Sequence, residues 1–149
     1  MRETDMAQRD WVTDHMARYK ETGGEDGHMW KGHDGNQNLP CLILTTTGRR
    51  SGKQYDTALI YGTDGDNHVI VASMGGAPKS PLWYENLAAN PTVELQVMAD
   101  RFTAKARTAS GEERARLWTM MAEIFPTYDS YHEKAKAHRE IPVVVLERA

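Results

Sequence analysis

One cysteine, Cys41, is all the thiol this 149-residue chain contains, which excludes an internal disulfide. It sits in an apolar run, so a buried and inert thiol is expected. No apolar stretch approaches the roughly 18 residues that a membrane-crossing helix needs. Met-Arg-Glu-Thr-Asp at the N-terminus has no apolar signal-peptide core behind it. A soluble cytoplasmic protein is therefore the expectation. An excess of positive charge is missing too: 18 Lys and Arg stand against 21 Asp and Glu, for a net charge of −3. Nothing favours bulk attraction to nucleic acid, and any useful positive charge must be local. The six histidines are scattered. Neither His28 with His33 nor His132 with His138 has a ligand spacing on a predicted element, so no metal site is expected. Gly-x-Ser-x-Gly is absent and Cys41 has no evident base, which argues against nucleophilic catalysis. Without Gly-x-Gly-x-x-Gly opening a helix, a Rossmann nicotinamide site is unsupported.

What is present fits one domain with a real core. Residues 5–21 pattern as an amphipathic helix, with Val12, Met16 and Tyr19 on one face and Trp11 beside it. Gly23-Gly24 ends it. A polar, glycine-rich stretch from Glu25 to Asn38 follows, with Met29 and Trp30 its only large apolar residues. It reads either as a lid or as a loose connection.

From Pro40 the texture changes to short strands and turns. Strands are expected at Cys41–Thr47, Asp56–Tyr61, His68–Ser73, Thr92–Val97, Arg101–Arg107 and Ile141–Glu147. Asp64-Gly65 supplies a hairpin turn, and the apolar Val69–Ala72 run predicts a strand covered on both faces. Pro81 opens a short helix, Leu82–Ala89, which Asn90-Pro91 stops. Ser110-x-x-Glu113 matches a capping box for a helix to about Phe125. Six strands and about three helices in the order β-β-β-α-β-β-α-β predict a mainly β, mostly antiparallel barrel of α+β class, not a doubly wound sheet.

Three segments could carry chemistry. The first is Thr45-Thr-Thr-Gly-Arg-Arg-Ser-Gly-Lys-Gln54. Its glycines permit close backbone approach, free N–H groups could form an anion nest, and Arg49, Arg50 and Lys53 add cations. The alternative is a solvated basic hairpin turn. The second is the glycine-proline loop Ser73–Pro81. Lys79 offers a second anion contact there, and Trp83 and Tyr84 offer aromatic surface to a planar ligand. A turn followed by a core aromatic is equally compatible. The third is Phe125-Pro-Thr-Tyr128-Asp-Ser-Tyr131, with an aromatic at every third position. On helical or 3₁₀ geometry these rings share a face and either wall a pocket or form a core stripe. Two phenols favour a polar-edged cavity.

Together these motifs resemble the deazaflavin (coenzyme F420)-dependent nitroreductase family. The resemblance rests on Leu42-Ile-Leu-Thr-Thr-Thr-Gly-Arg-Arg-Ser-Gly-Lys53, Val69-Ile-Val-Ala-Ser-Met-Gly-Gly-Ala-Pro-Lys79 and Trp83-Tyr-Glu-Asn-Leu-Ala-Ala-Asn-Pro91. Pro126-x-Tyr128-x-x-Tyr131 and Ile141-Pro-Val-Val-Val also match, so it covers roughly residues 38–148. It implies a split β-barrel of the FMN-binding kind with flanking helices over residues 38–149, preceded by a helix and glycine-rich segment, 1–37, that can fold over the site. It implies that Arg49, Arg50, Ser51, Gly52, Lys53 and Gln54 hold the coenzyme's phosphate and acidic tail. Val71, Ala72, Ser73 and Met74 would lie along the deazaflavin ring. Lys79, Leu82, Trp83, Tyr84, Glu85 and Asn86 would complete the cleft. Tyr128 and Tyr131, with Phe125 and Trp30, would line the substrate side. Two departures stand out: Phe125 replaces a tyrosine of a nitro-reducing branch, and Met74 replaces a common lysine. They argue against nitro reduction and leave quinone or enone reduction open.

The implied activity is hydride transfer from reduced coenzyme F420 to an electron-poor small molecule, with Ser73 and Tyr128 hydrogen bonding the acceptor oxygen or giving the final proton. Rivals are a non-catalytic barrel that binds a flavin-like or lipidic ligand, and a reductase using FMN. FMN has no oligoglutamate tail and so makes less use of an extended basic patch. A monomer or weak homodimer is expected, without nucleic acid. The Trp11/Met16 face either touches a membrane surface or packs on the barrel.

Overall fold

The computed structural model describes residues 14–32 and 34–149. Trp11, Val12 and His33, which figure in the sequence reading, lie outside the described residues. Among those described, eight strands form one antiparallel sheet. They are β1 (Met29–Trp30), β2 (Leu39–Thr47), β3 (Gln54–Ile60), β4 (Gly62–Asp64), β5 (Asn67–Val71), β6 (Thr92–Val97), β7 (Asp100–Thr108) and β8 (Val143–Arg148). The path runs β1-β2-β6-β7-β8-β5-β4, with β3 also paired to β2. Helical residues 14–21 form α1, followed by α2 (Leu82–Ala89), α3 (Gly111–Ile124) and α4 (Thr127–Ala135). The result is a curled antiparallel half-barrel with four helices.

The count of eight corrects the expected six. The two additional strands are short. β1 lies in the polar glycine-rich segment and is set by pairing Met29 to Pro40 and Trp30 to Leu39, not by its own composition. β4 is the first arm of the Asp64-Gly65 hairpin, paired with β5 from Gly62 to Asp64. The sequence pattern merges it into the turn. Gln54, expected in the loop, starts β3 opposite Thr47. Ala72 and Ser73, expected in the third strand, lie just beyond β5.

β5 and β8 explain the apolar runs. Val69, Val71, Val143 and Val145 face a core shared with Leu117 and Met121 of α3 and with Phe125 and Tyr128. Ile70, Val144 and Leu146 face the other core, with Leu42, Leu44, Trp83, Leu87, Val93 and Leu95. Strands buried on both faces lose polar alternation, as Val69–Ala72 predicts. Each buried large aliphatic side chain contributes about 1.5–3 kcal/mol.

Tyr19 docks α1 onto the sheet. It is fully buried, and its hydroxyl lies 2.9 Å from the Cys41 carbonyl and accepts from the Met98 N–H at 2.8 Å. At the other end of the chain the expected capping box does not form. Ser110 is the N-cap of α3 without a side-chain bond. The Glu113 carboxylate is instead taken by Arg107, which donates to both oxygens at 2.6 and 3.0 Å. A bidentate charge-assisted pair outcompetes a neutral cap.

Candidate functional site

Two cavities meet on one side of the half-barrel. The first, about 420 Å³, is walled by Trp30 of β1, Cys41 of β2, residues 58–60 of β3, Val71, and Phe125, Tyr128 and Tyr131 of the α3–α4 region. The second, about 610 Å³, is bounded by Arg49, Arg50 and Ser51 of the β2–β3 turn and by Leu82 and Asn86 of α2. Met74, Pro81 and Trp83 line both, so the basic cleft and the aromatic cavity are neighbours.

The β2–β3 turn is tightly closed. Gly48 donates to the Lys53 carbonyl at 2.7 Å, and Gly52 donates to the Gly48 carbonyl at 3.0 Å. The Lys53 N–H donates to Ser51 Oγ at 3.1 Å, and the Arg49 N–H to Asn86 Oδ1 at 3.2 Å. These bonds narrow the nest reading: the amides of Gly48, Arg49, Gly52 and Lys53 are already satisfied within the protein. Gly48 leaves room for two side chains of the turn: a Cβ there would stand 2.6 Å from Ser51 Oγ and 2.9 Å from the Tyr55 ring, both of which would have to shift. Asn86, buried in α2, braces the turn by also donating to Thr46 Oγ1 at 3.4 Å. The Arg49 guanidinium forms a half-exposed ion pair with Glu85 at 3.4 Å.

The opposite wall starts where β5 ends. Ser73 is right-handed helical (φ −76°, ψ −39°). Met74, Gly75 and Gly76 then follow at φ +46°, +64° and +80°. This left-handed run suits glycine and strains Met74, whose side chain is exposed between the two cavities. Gly76 also lets α4 approach, since a Cβ there would meet the Tyr131 carbonyl oxygen at 2.9 Å.

The aromatic wall is built edge to face. Phe125 and Tyr128 have ring centroids 5.0 Å apart at 86°, and Tyr128 and Tyr131 6.4 Å apart at 68°. Tyr128 is only 4% exposed, and burial pushes its phenol well above the usual value near 10. It therefore stays a protonated donor across the physiological range. Cys41 forms part of the same wall, with burial pushing its thiol up to about 12, so the thiol remains neutral there.

Of the residues anticipated from sequence, Trp30, Val71, Ser73, Met74, Trp83, Phe125, Tyr128 and Tyr131 line the aromatic cavity. Arg49, Arg50, Ser51, Leu82 and Asn86 line the basic cleft. Gly52, Lys53, Gln54, Ala72, Lys79, Tyr84 and Glu85 line neither. Ala72 is fully buried, and the Tyr84 hydroxyl pairs with Thr108 of β7 at 2.9 Å. Sequence reasoning missed His15 of α1, Cys41 as a wall and the β3 segment. It also missed Arg139, which holds the Ala72–Ser80 backbone.

The fold and site define a half-barrel with a basic cleft beside a phenol-walled cavity, a place for an anionic ligand next to an aromatic one. More particularly, the chain belongs to the F420H(2)-dependent quinone reductase family, whose model matches residues 11–148. An F420H(2)-dependent quinone reductase of Mycobacterium tuberculosis is 43% identical over 137 residues, 90% of this chain and 87% of that protein. Two solved structures are also similar. One, of an F420-H2 dependent reductase, is 39% identical with a TM-score of 0.67, covering 72% of this chain and 94% of that one. The other, described as a domain-swapped dimer, is 36% identical with a TM-score of 0.69, covering 94% and 99%. The family's name specifies quinones; nitro reduction is the looser description.

Proposed function

We propose that the protein reduces quinones, and by the same chemistry enones, with reduced coenzyme F420, and that the basic cleft holds the coenzyme while the aromatic cavity holds the acceptor. The observation that carries this reading is the junction at Met74, Pro81 and Trp83, where the two cavities meet. The donor set fits the coenzyme: Arg49, Arg50 and Ser51 rim a cleft of about 610 Å³ and offer cations and a hydroxyl to a phosphate, and Trp83 offers a flat surface to a ring. The half-barrel is read accordingly as a split barrel of the flavin-binding kind.

When bound, the coenzyme supplies hydride chemistry that no side chain has. The chain's own residues bind, orient and exclude water. Arg49 and Arg50 engage the anionic tail, and Asn86 holds their turn in place. Val71, Met74 and Trp83 would hold the ring where the two cavities adjoin. Trp30, Phe125, Tyr128 and Tyr131 shield the acceptor from water, which strengthens every polar contact made to it. The Tyr128 phenol, or the Ser73 hydroxyl, donates a hydrogen bond to the acceptor oxygen and stabilises the negative charge that develops there. His15 and Trp30, which line that cavity, support treating the described residues of the N-terminal segment as a cover over the acceptor side.

Deazaflavin fluorescence titration followed by oxidation of the reduced coenzyme against a quinone panel tests the reading. Micromolar binding with turnover is expected; binding without turnover would indicate a carrier, and no binding would end the proposal. Arg50→Ala should weaken coenzyme F420 about 10-fold or more, the equivalent of one charge-assisted bond of about 1.5 kcal/mol. FMN should lose much less, and equal losses would favour an FMN enzyme.

A further inference from the structure

Arg139 follows the end of α4, tied there by its N–H donating to the Ala135 carbonyl at 3.0 Å. Its half-buried guanidinium reaches across to the glycine-proline loop. Nε donates to the Ala77 carbonyl at 2.9 Å, and Nη2 to the Ser73 carbonyl at 2.9 Å. Nη1 donates to the Ala72 carbonyl at 3.1 Å and approaches Ser80 Oγ at 3.4 Å. One planar fork therefore grips both ends of the loop, and all four acceptors are uncharged. Between those ends lie Met74, Gly75 and Gly76, three successive left-handed residues. Glycine adopts this conformation freely, so Met74 alone is strained, and a non-glycine residue there persists only where its surroundings hold it. The loop's own contribution is small: Gly76 donates to the Ser73 carbonyl and Ala77 to the Met74 carbonyl.

The loop and α4 are also the two walls that must be registered for catalysis. Ser73 and Met74 stand on one, Tyr128 and Tyr131 on the other, and all four line the same cavity. We propose that Arg139 is a positioning residue that locks the Ser73–Met74 corner to the tyrosine helix and so sets coenzyme and acceptor in reactive register. The inference rests on the site reading above. Lysine cannot replace it, because one ammonium cannot span four acceptors arranged around a planar fork. A misplacement of about 1 Å at the corner costs roughly 100-fold in rate.

Two measurements separate this role from plain stabilisation. In the ligand-free protein, hydrogen exchange at the Gly76 and Ala77 amides should quicken at least 10-fold in Arg139→Lys, while the β5–β8 amides keep their protection. This readout needs no coenzyme, so it stands even if the functional reading fails. With coenzyme and a quinone, Arg139→Lys should lose roughly 10- to 100-fold in kcat with KM changed less than 3-fold. Arg139→Gly should regain rate when guanidinium is added at millimolar concentration, far below denaturing levels. Unchanged exchange at Gly76 and Ala77 overturns the clamp. Wild-type kcat in Arg139→Lys, or a rate loss that only tracks the folded fraction and is not rescued, overturns the catalytic consequence.

Discussion

Replacing Gly76 by alanine tests how the site is assembled, because two separable costs meet at that residue. The first is conformational. At φ +80° an L side chain pays about 1–2 kcal/mol for the left-handed region. The second is packing. The new Cβ would stand 2.9 Å from the Tyr131 carbonyl oxygen and 3.1 Å from both Tyr131 Cα and Lys134 Cβ. The nearest atoms belong to helical backbone, so no rotamer change relieves the contact, and restoring ordinary van der Waals distance moves α4 by about 0.5 Å. Overpacking of this kind costs about 1–3 kcal/mol more. Gly75 is the internal reference: its φ is +64° and a Cβ there meets nothing within 4 Å. Gly75→Ala should therefore show the conformational cost alone, a fall in melting temperature of about 3–6 °C for a domain of this size. Gly76→Ala should fall about twice as far. It should also lower kcat in the remaining folded enzyme, since Tyr128 and Tyr131 ride on α4. Urea unfolding at constant m-value gives both free energies. Equal destabilisation of the two variants would refute the close-approach argument, and wild-type kcat in folded Gly76→Ala would refute the coupling of α4 to the chemistry.

The Tyr128 phenol is raised by burial, so it should give the pH–rate profile no descending limb below pH 10. Tyr128→Phe should lower kcat roughly 100-fold; an unchanged kcat would transfer the donor role to Ser73. Stability should depend on His28 and His68. Burial pushes both imidazoles below their ordinary value, with Arg148 adding to the effect on His68, and the neutral rings are preferred in the fold. Unfolded histidines protonate near pH 6.5, so below about that pH the unfolded chain binds more protons and stability falls as pH falls; above it the contribution is constant. The urea midpoint should drop from pH 7.5 to 5, and the double variant His28→Gln/His68→Gln should flatten that slope. An identical slope in the double variant would place the proton uptake elsewhere.

The parts of this protein that were legible in its sequence are those encoded by local pattern. Strand alternation in β6 and β7, the unbroken apolar runs of β5 and β8, and the Asp64-Gly65 turn all rest on neighbours within a few residues. The cations of the β2–β3 turn and the period-three aromatics belong with them, as does the family resemblance they carry. Tertiary pairing decided the rest. β1 is a strand only because β2 lies beside it; Glu113 leaves its capping role to a partner only six residues away, Arg107 at the end of β7, a competition the capping-box pattern does not report. The nest narrows because Asn86 and the turn itself satisfy four of its amides. Arg139 becomes a clamp because chain reversal brings residue 139 against residues 72–80, a separation no periodicity reports. Hydrophobic pattern sets which face is buried. Hydrogen-bond partners far apart in sequence are chosen only when the folded chain brings them within about 3 Å.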